Sequence, residues 1–77
     1  MAIFPRASVL SAMRKYTDKR VSATAADEVD RLLEDMISRI MKHATILADY
    51  SGRKTVMWKD IVVAYSIAVD ELNVSRG

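Results

Sequence analysis

The chain has 77 residues, no cysteine, one histidine and a formal net charge of +2. At this length we expect one small domain, residues 1–77, that is marginally stable by itself. Thiolate sites are excluded and one histidine does not build a zinc site, so we expect no metal, no cofactor and a reducing compartment. No segment is long and apolar enough to span a bilayer and the first residues do not match a signal peptide, so we expect a soluble, cytoplasmic protein without a membrane partner.

Charge is distributed unevenly along the sequence. Residues 1–22 hold five basic residues and one acidic residue, residues 23–50 three basic and six acidic, and residues 51–77 four basic and three acidic. Positive charge therefore collects at the start of the chain and around Arg53-Lys54, and the middle is acidic. We interpret the acidic residues of the middle segment as its solvated side.

The first predicted element is a short helix over about residues 5–16. Pro5 suits a first helical turn, and apolar residues follow it at helical spacing up to Tyr16. The second is a long helix over about residues 23–51, with Ser22 and Thr24 as candidate caps and Gly52 as its stop. A third helix, over about residues 58–72, completes a short-long-short, all-α chain.

The long helix carries a broad apolar stripe along its whole length, which two short helices do not cover comfortably. A second copy crossing it would cover the rest. We therefore expect a homodimer. Met13, Met36 and Met41 are interpreted as packing residues, His43 as a partly buried structural histidine, and Trp58 as a hydrophobic cover on the start of the third helix.

Enzymatic activity is not expected. The sequence has no glycine-rich phosphate loop, no histidine-serine arrangement and no paired acid/base constellation beyond the acidic helix face. We therefore expect no small-molecule substrate.

Two motifs at the ends of the long helix carry a family resemblance. They are Lys19-Arg20-Val21-Ser22 before it and Gly52-Arg53-Lys54-Thr55-Val56, followed by Asp60-Ile61, after it. With Phe4-Pro5 and the long helix between them, the sequence resembles the histone fold, and within it the small archaeal-type histones.

The resemblance implies a handshake dimer in which the first loop of one chain lies beside the second loop of the other. The paired loops would contact the backbone of double-stranded DNA, and sequence preference would be weak. Arg20 resembles the arginine that enters the minor groove, Thr55 the hydroxyl that steadies it, and Lys54 a phosphate contact. The expected DNA-binding set is Arg14, Lys15, Lys19, Arg20, Ser22, Lys54 and Thr55.

Arg53 and Asp60 resemble a pair that clamps the second loop onto the third helix. Each assignment has an alternative. The basic residues would be solvated loop charges, and Arg53 with Asp60 would be an ordinary exposed ion pair of little energetic value. Arg6 lies outside the matched motifs. For Trp58, contact with DNA is the alternative to packing over the helix start.

The sequence departs from the family pattern at Ser11, where a first-helix arginine is common, and at Tyr50, where a histidine is common. The third helix is apolar almost all round. We expect Val62, Val63, Ile67 and Val69 to join two dimers into a tetramer, or alternatively to fold back against the first helix.

The leading interpretation is an architectural, chromosome-associated DNA-binding protein that compacts or bridges DNA as a dimer or tetramer. The alternative is a histone-fold pairing subunit of a transcription or chromosome complex. The small net charge, Tyr50 and the apolar third helix favour the alternative, whereas the basic loop residues favour DNA binding.

Overall fold

A computed structural model of the chain describes residues 4–76, with side chains described for residues 4–74. These residues form three helices and no strand: α1 (Arg6–Arg14), α2 (Ala23–Tyr50) and α3 (Trp58–Arg76). They group into an N-terminal and a C-terminal compact unit, divided between Asp35 and Met36, and α2 contributes residues to each. The all-α, short-long-short architecture expected from the sequence is confirmed. Within the described residues, no helix combines the length and hydrophobicity needed to cross a membrane.

The first helix is shorter than expected at both ends. Pro5 occupies the cap position, and its carbonyl accepts the N–H groups of Ser8 (3.0 Å) and Val9 (3.2 Å). At the other end Lys15 bonds to the carbonyl of Ala12 rather than to a residue four positions back. Hydrogen bonds of this i→i−3 type tighten the last turn, so that the helix ends at Arg14.

An aspartate on α2 fixes the start of α1 in the N-terminal unit. Asp30 is buried, and its Oδ1 accepts the backbone N–H of Phe4 at 2.9 Å. Arg6 forms a forked ion pair with Asp27 at 3.0–3.2 Å on the exposed side of the same unit. The interpretation that all acidic residues of the long helix are solvated is therefore wrong for Asp30, because it accepts a main-chain donor.

Both ends of α2 satisfy the backbone groups that a helix leaves unpaired. Ser22 caps its start, since Ser22 Oγ accepts the N–H of Ala25 at 3.0 Å. At its end Gly52 adopts φ = 70°, and two backbone bonds follow: Gly52 N–H to Asp49 O (3.0 Å) and Arg53 N–H to Ala48 O (2.9 Å). This is a Schellman arrangement, in which glycine supplies the left-handed residue.

The C-terminal unit packs α3 on α2 through small residues. Up to residue 74, its buried apolar side chains are those of Ala44, Ala48, Ala64 and Ala68. Glu71 joins the two helices, because its Oε2 lies 2.9 Å from His43 Nε2 and its Oε1 lies 3.5 Å from Arg39 Nη1. The hydrogen bond from His43 is the main reason that the pKa of Glu71 is lowered. His43 is thus a partly buried, hydrogen-bonded residue.

The third helix continues to Arg76, four residues beyond the expected end. Neither glycine nor proline occurs between Leu72 and Gly77, so nothing in this segment stops the helix where the apolar stripe ends. Trp58 begins the helix with 76% of its surface exposed. Its expected packing over the helix start is therefore not present within this chain.

Candidate nucleic-acid interface

The first loop, residues 15–22, is rich in exposed cations. Lys15, Lys19 and Arg20 are exposed in it, and Arg14 is exposed at the end of α1 just before it. In the described part of the chain none of these four side chains forms a hydrogen bond or ion pair. Their charges are thus available to a partner from outside the chain.

Two hydroxyl groups shape the first loop. Thr17 Oγ1 accepts the backbone N–H of Lys19 at 3.1 Å, so that the chain turns before Arg20. Ser22 Oγ accepts the N–H of Ala25 and lies 3.2 Å from the hydroxyl of Thr24. The structure therefore gives Ser22 a capping role at the start of α2, and leaves its side chain exposed at the expected interface.

The second loop, residues 51–57, is built around the guanidinium of Arg53. Arg53 Nη1 donates to the carbonyl of Thr55 at 2.9 Å and to Asp60 Oδ2 at 2.8 Å, and Nη2 donates to Asp60 Oδ1 at 2.8 Å. Two parallel hydrogen bonds to one carboxylate are the strongest geometry that arginine offers. The loop backbone at Thr55 is thereby held against the start of α3.

Asp60 completes this clamp from the helix side. Its side chain is only 5% exposed, and Oδ2 also accepts the N–H of Met57 at 2.8 Å, as in the returning half of a capping box. The hydrogen bond from Arg53, followed by that from Met57, lowers the pKa of Asp60 from 3.8 to about 2. In turn, the hydrogen bond to Asp60 raises the pKa of Arg53. Arg53 and Asp60 therefore form a shielded, charged pair rather than an exposed one.

Lys54 and Thr55 lie on the outside of the clamp. Both are exposed, and within the described residues the Lys54 side chain has no partner. Because the carbonyl of Thr55 is bonded to Arg53, the backbone between the two residues is fixed while both side chains remain accessible. The second loop thus presents a cation and a hydroxyl from a rigid support.

The four residues proposed to join dimers are unequally exposed on α3. Val62 and Val63 are exposed, whereas Ile67 and Val69 are half-buried. Ile67 also lines a groove of about 500 Å³ with Arg39, Asp70, Glu71 and Val74. No group of three or more metal-ligating side chains occurs among residues 4–74.

Sequence reasoning missed two contacts of the N-terminal unit. Asp30 holds the main chain of Phe4, and Arg6 pairs with Asp27 across 21 residues of sequence. A signal for the first was present, since Asp30 falls four residues after Ala26 on the apolar face of α2.

Comparison with known proteins identifies the family. The core histone H2A/H2B/H3/H4 domain matches residues 3–67. DNA-binding protein HmvA from Methanocaldococcus jannaschii is 37% identical over 59 residues, which are 77% of this chain and 62% of HmvA. The chain therefore spans less than two thirds of the length of that relative. One of the polypeptides of the archaeal histone HAN1 from Thermococcus zilligii is 38% identical over 64 residues, which are 83% of this chain and 96% of that polypeptide. By these matches, and by its three helices with their two basic loops, the chain belongs to the core histone family.

Proposed function

We propose that this protein binds double-stranded DNA as a homodimer and acts as an architectural, chromosome-associated protein with little sequence preference. The observation that carries the proposal is the set of exposed cations at the two loops, which have no carboxylate partner among the described residues: Arg14, Lys15, Lys19, Arg20 and Lys54. The relatives named as a DNA-binding protein and as an archaeal histone support it.

The chemistry of the loops suits a phosphate backbone. Three arginines outside this set are held by carboxylates: Arg6 by Asp27, Arg31 by Glu28 and Arg53 by Asp60. The loop cations differ because their charge remains unneutralised. Arginine and lysine in this state bind phosphate oxygens and release counterions, so affinity should fall steeply with salt.

The homodimer is supported by the apolar stripe of α2. One face of the helix carries residues spaced by three or four positions: Ala26, Asp30, Leu33, Ile37, Met41, Ala44 and Ala48. The residues at both ends of this series are buried, whereas Leu33, Ile37 and Met41 in the middle are 40–43% exposed. A second α2 crossing at the middle would cover them, and the helix is about 42 Å long, enough for such a crossing.

In such a dimer the first loop of one chain would approach the second loop of its partner. Arg20 would then enter the minor groove beside Thr55, and Lys54 would contact a phosphate. Ser22 would place the N-terminus of α2, which it caps, beside the DNA, where the helix dipole favours an anion such as phosphate. The clamp between Arg53 and Asp60 would hold the second loop in place without touching DNA.

The test is fluorescence anisotropy with a duplex of about 30 base pairs over a salt series. Wild type should bind tightly at low salt with a steep negative slope of log affinity against log salt. The Arg20→Ala, Lys54→Ala double variant should bind more weakly, with a slope shallower by about two.

A matched control removes the same charge elsewhere. Arg31 and Lys42 are exposed on α2, away in sequence from both loops. An Arg31→Ala, Lys42→Ala variant should keep the wild-type slope. If the two double variants lost DNA affinity equally, the loss would reflect net charge alone. That result would contradict the assignment of DNA binding to the two loops.

A second candidate function is that of a pairing subunit for another histone-fold chain. It is favoured by the exposed apolar side chains of α3, since Val62 is 59% exposed and Tyr65 is 53% exposed. A pairing subunit should be poorly folded in isolation. A cooperative unfolding transition of the purified protein, together with a dimeric mass, would exclude this candidate.

Tetramer formation through α3 is a further part of the proposal. Val62 and Val63 are the exposed members of the expected contact, with Ile67 and Val69 at its edge. Joining these faces would bury apolar side chains that the single chain leaves in water. A Val63→Glu variant should remain a dimer under conditions in which wild type sediments as a tetramer, and an unchanged mass would refute the α3 contact.

A further inference from the structure

Tyr16 lies in the first loop with an unusually accessible ring. It is 88% exposed, and among the large apolar and aromatic side chains described only Tyr50 is more exposed. Its main chain is fixed, because its N–H donates to the carbonyl of Met13 at 3.1 Å. No hydrogen bond engages its hydroxyl within the described residues. The loop therefore presents an aromatic ring that the chain itself does not use.

The cations of the first loop surround this ring in sequence. Arg14 and Lys15 precede Tyr16, and Lys19 and Arg20 follow it. Asp18 is the single acidic residue of residues 1–22, and it forms no ion pair with the described residues. The turn from Thr17 Oγ1 to the N–H of Lys19 fixes the backbone between the ring and the second pair of cations.

A ring among free cations matches the chemistry of an unpaired nucleotide. The phosphates are attracted by arginine and lysine, and the base offers a flat face on which an aromatic side chain stacks. In a duplex both faces of each base are already stacked, so that a protein ring gains a base contact only after a step has been unstacked. A single strand exposes base faces without this cost.

We propose that the first loop also binds single-stranded DNA, with Tyr16 stacked on an unpaired base and the neighbouring cations on the flanking phosphates. This inference rests on the proposed function, because the same cations would serve both forms of DNA. It adds a ligand class, and it gives Tyr16 a role that duplex binding does not require.

The experiment measures the affinity of the intact protein for a single strand of thirty thymidines and for a duplex of equal length. Tyr16→Ala should weaken single-strand binding about ten-fold and change duplex binding much less. Tyr16→Phe keeps the ring and should bind like wild type. Tyr50→Ala is the matched control, since it removes a tyrosine that is 92% exposed at the end of α2.

Sedimentation and thermal unfolding of each variant show whether Tyr16 supports the fold or the dimer instead. If Tyr16→Ala lowers stability or dissociates the dimer and single-strand affinity per folded dimer is unchanged, the ring packs against protein and the inference is overturned. If Tyr16→Ala and wild type bind the single strand equally while Arg20→Ala, Lys54→Ala still weakens duplex binding, the inference is overturned and the proposed function stands. If wild type binds neither form, both are overturned.

Discussion

Arg53 and Asp60 are joined by two parallel hydrogen bonds of 2.8 Å, and Asp60 accepts a third from the N–H of Met57 at 2.8 Å. The carboxylate of Asp60 therefore holds Arg53 of the second loop and also accepts a backbone N–H at the start of α3. The positions of Lys54 and Thr55 depend on this pair, although neither of its members offers a free charge. The pair thus supports the second loop, and the side chains that we propose to contact DNA belong to the neighbouring Lys54 and Thr55.

Replacing Asp60 should uncouple the second loop from α3. Asp60→Asn keeps the size of the side chain but removes the charge that pairs with Arg53, so we expect the midpoint of thermal unfolding to fall by about 5 °C or more. Duplex affinity should fall as well, because Lys54 is no longer held in place. Asp70→Asn, at an exposed carboxylate of the same helix, should change neither; equal effects of the two variants would show that the clamp has no special role.

Acid should weaken the clamp over a defined range of pH. The pKa of Asp60 is about 2 in the folded protein and ordinarily 3.8, so the charged carboxylate stabilises the folded state. This contribution is complete above about pH 4 and is lost as the pH falls towards 2. The difference in free energy of unfolding between wild type and Asp60→Asn should be constant from pH 7 to about pH 5 and shrink below pH 4. A difference that is independent of pH down to 2 would contradict the assignment.

Gly52 should be required for its backbone conformation alone. Its φ is 70°, and no heavy atom outside Gly52 and its two chain neighbours lies within 4 Å of the position that a Cβ would occupy. Gly52→Ala should therefore cost about 1 kcal/mol of unfolding free energy through backbone strain, and Gly52→Asn less. Urea unfolding at one fixed protein concentration measures both. A loss much larger than this for alanine would point to a contact with a partner chain at this turn.

The middle of α2 should form the dimer contact. Ile37 is 43% exposed on the stripe, and Ile37→Glu would place a charge where a second α2 is expected. Sedimentation equilibrium at micromolar concentration should show loss of the dimer, and the cooperative unfolding transition should disappear with it. Ser38→Glu, one position along on an exposed polar site, should remain dimeric. A dimeric Ile37→Glu protein would place the contact elsewhere.

The sequence alone predicts the three helices, because the apolar spacing, the cap at Ser22 and the stop at Gly52 are local signals. The resemblance identifies Arg53 of the second loop and Asp60 of α3, seven residues apart, as partners. Their shielding was not predictable, because burial depends on how the loop folds over the start of α3.

The burial of some side chains depends on tertiary structure and is not predictable from the local sequence. An aspartate in this helix is expected on the solvated face, yet Asp30 is buried and accepts the N–H of Phe4. A tryptophan at the start of a helix is expected to pack against the protein, yet Trp58 is exposed within the chain. In both cases the outcome depends on whether another segment reaches the residue, and amino-acid type does not contain that information.

Among the side chains of residues 4–74, the buried apolar ones are those of Val9, Ala26, Ala44, Ala48, Ala64 and Ala68, and none of the large ones is fully buried. Small side chains remove little apolar surface from water, so a solitary copy has little to hold it folded. If the proposed dimer forms, refolding should be second order, with a rate that rises in proportion to chain concentration, since two copies would have to collide before either acquired its core. A newly made copy would remain open to proteases until it meets another, and the amount of protein in the cell would itself regulate how long each copy survives.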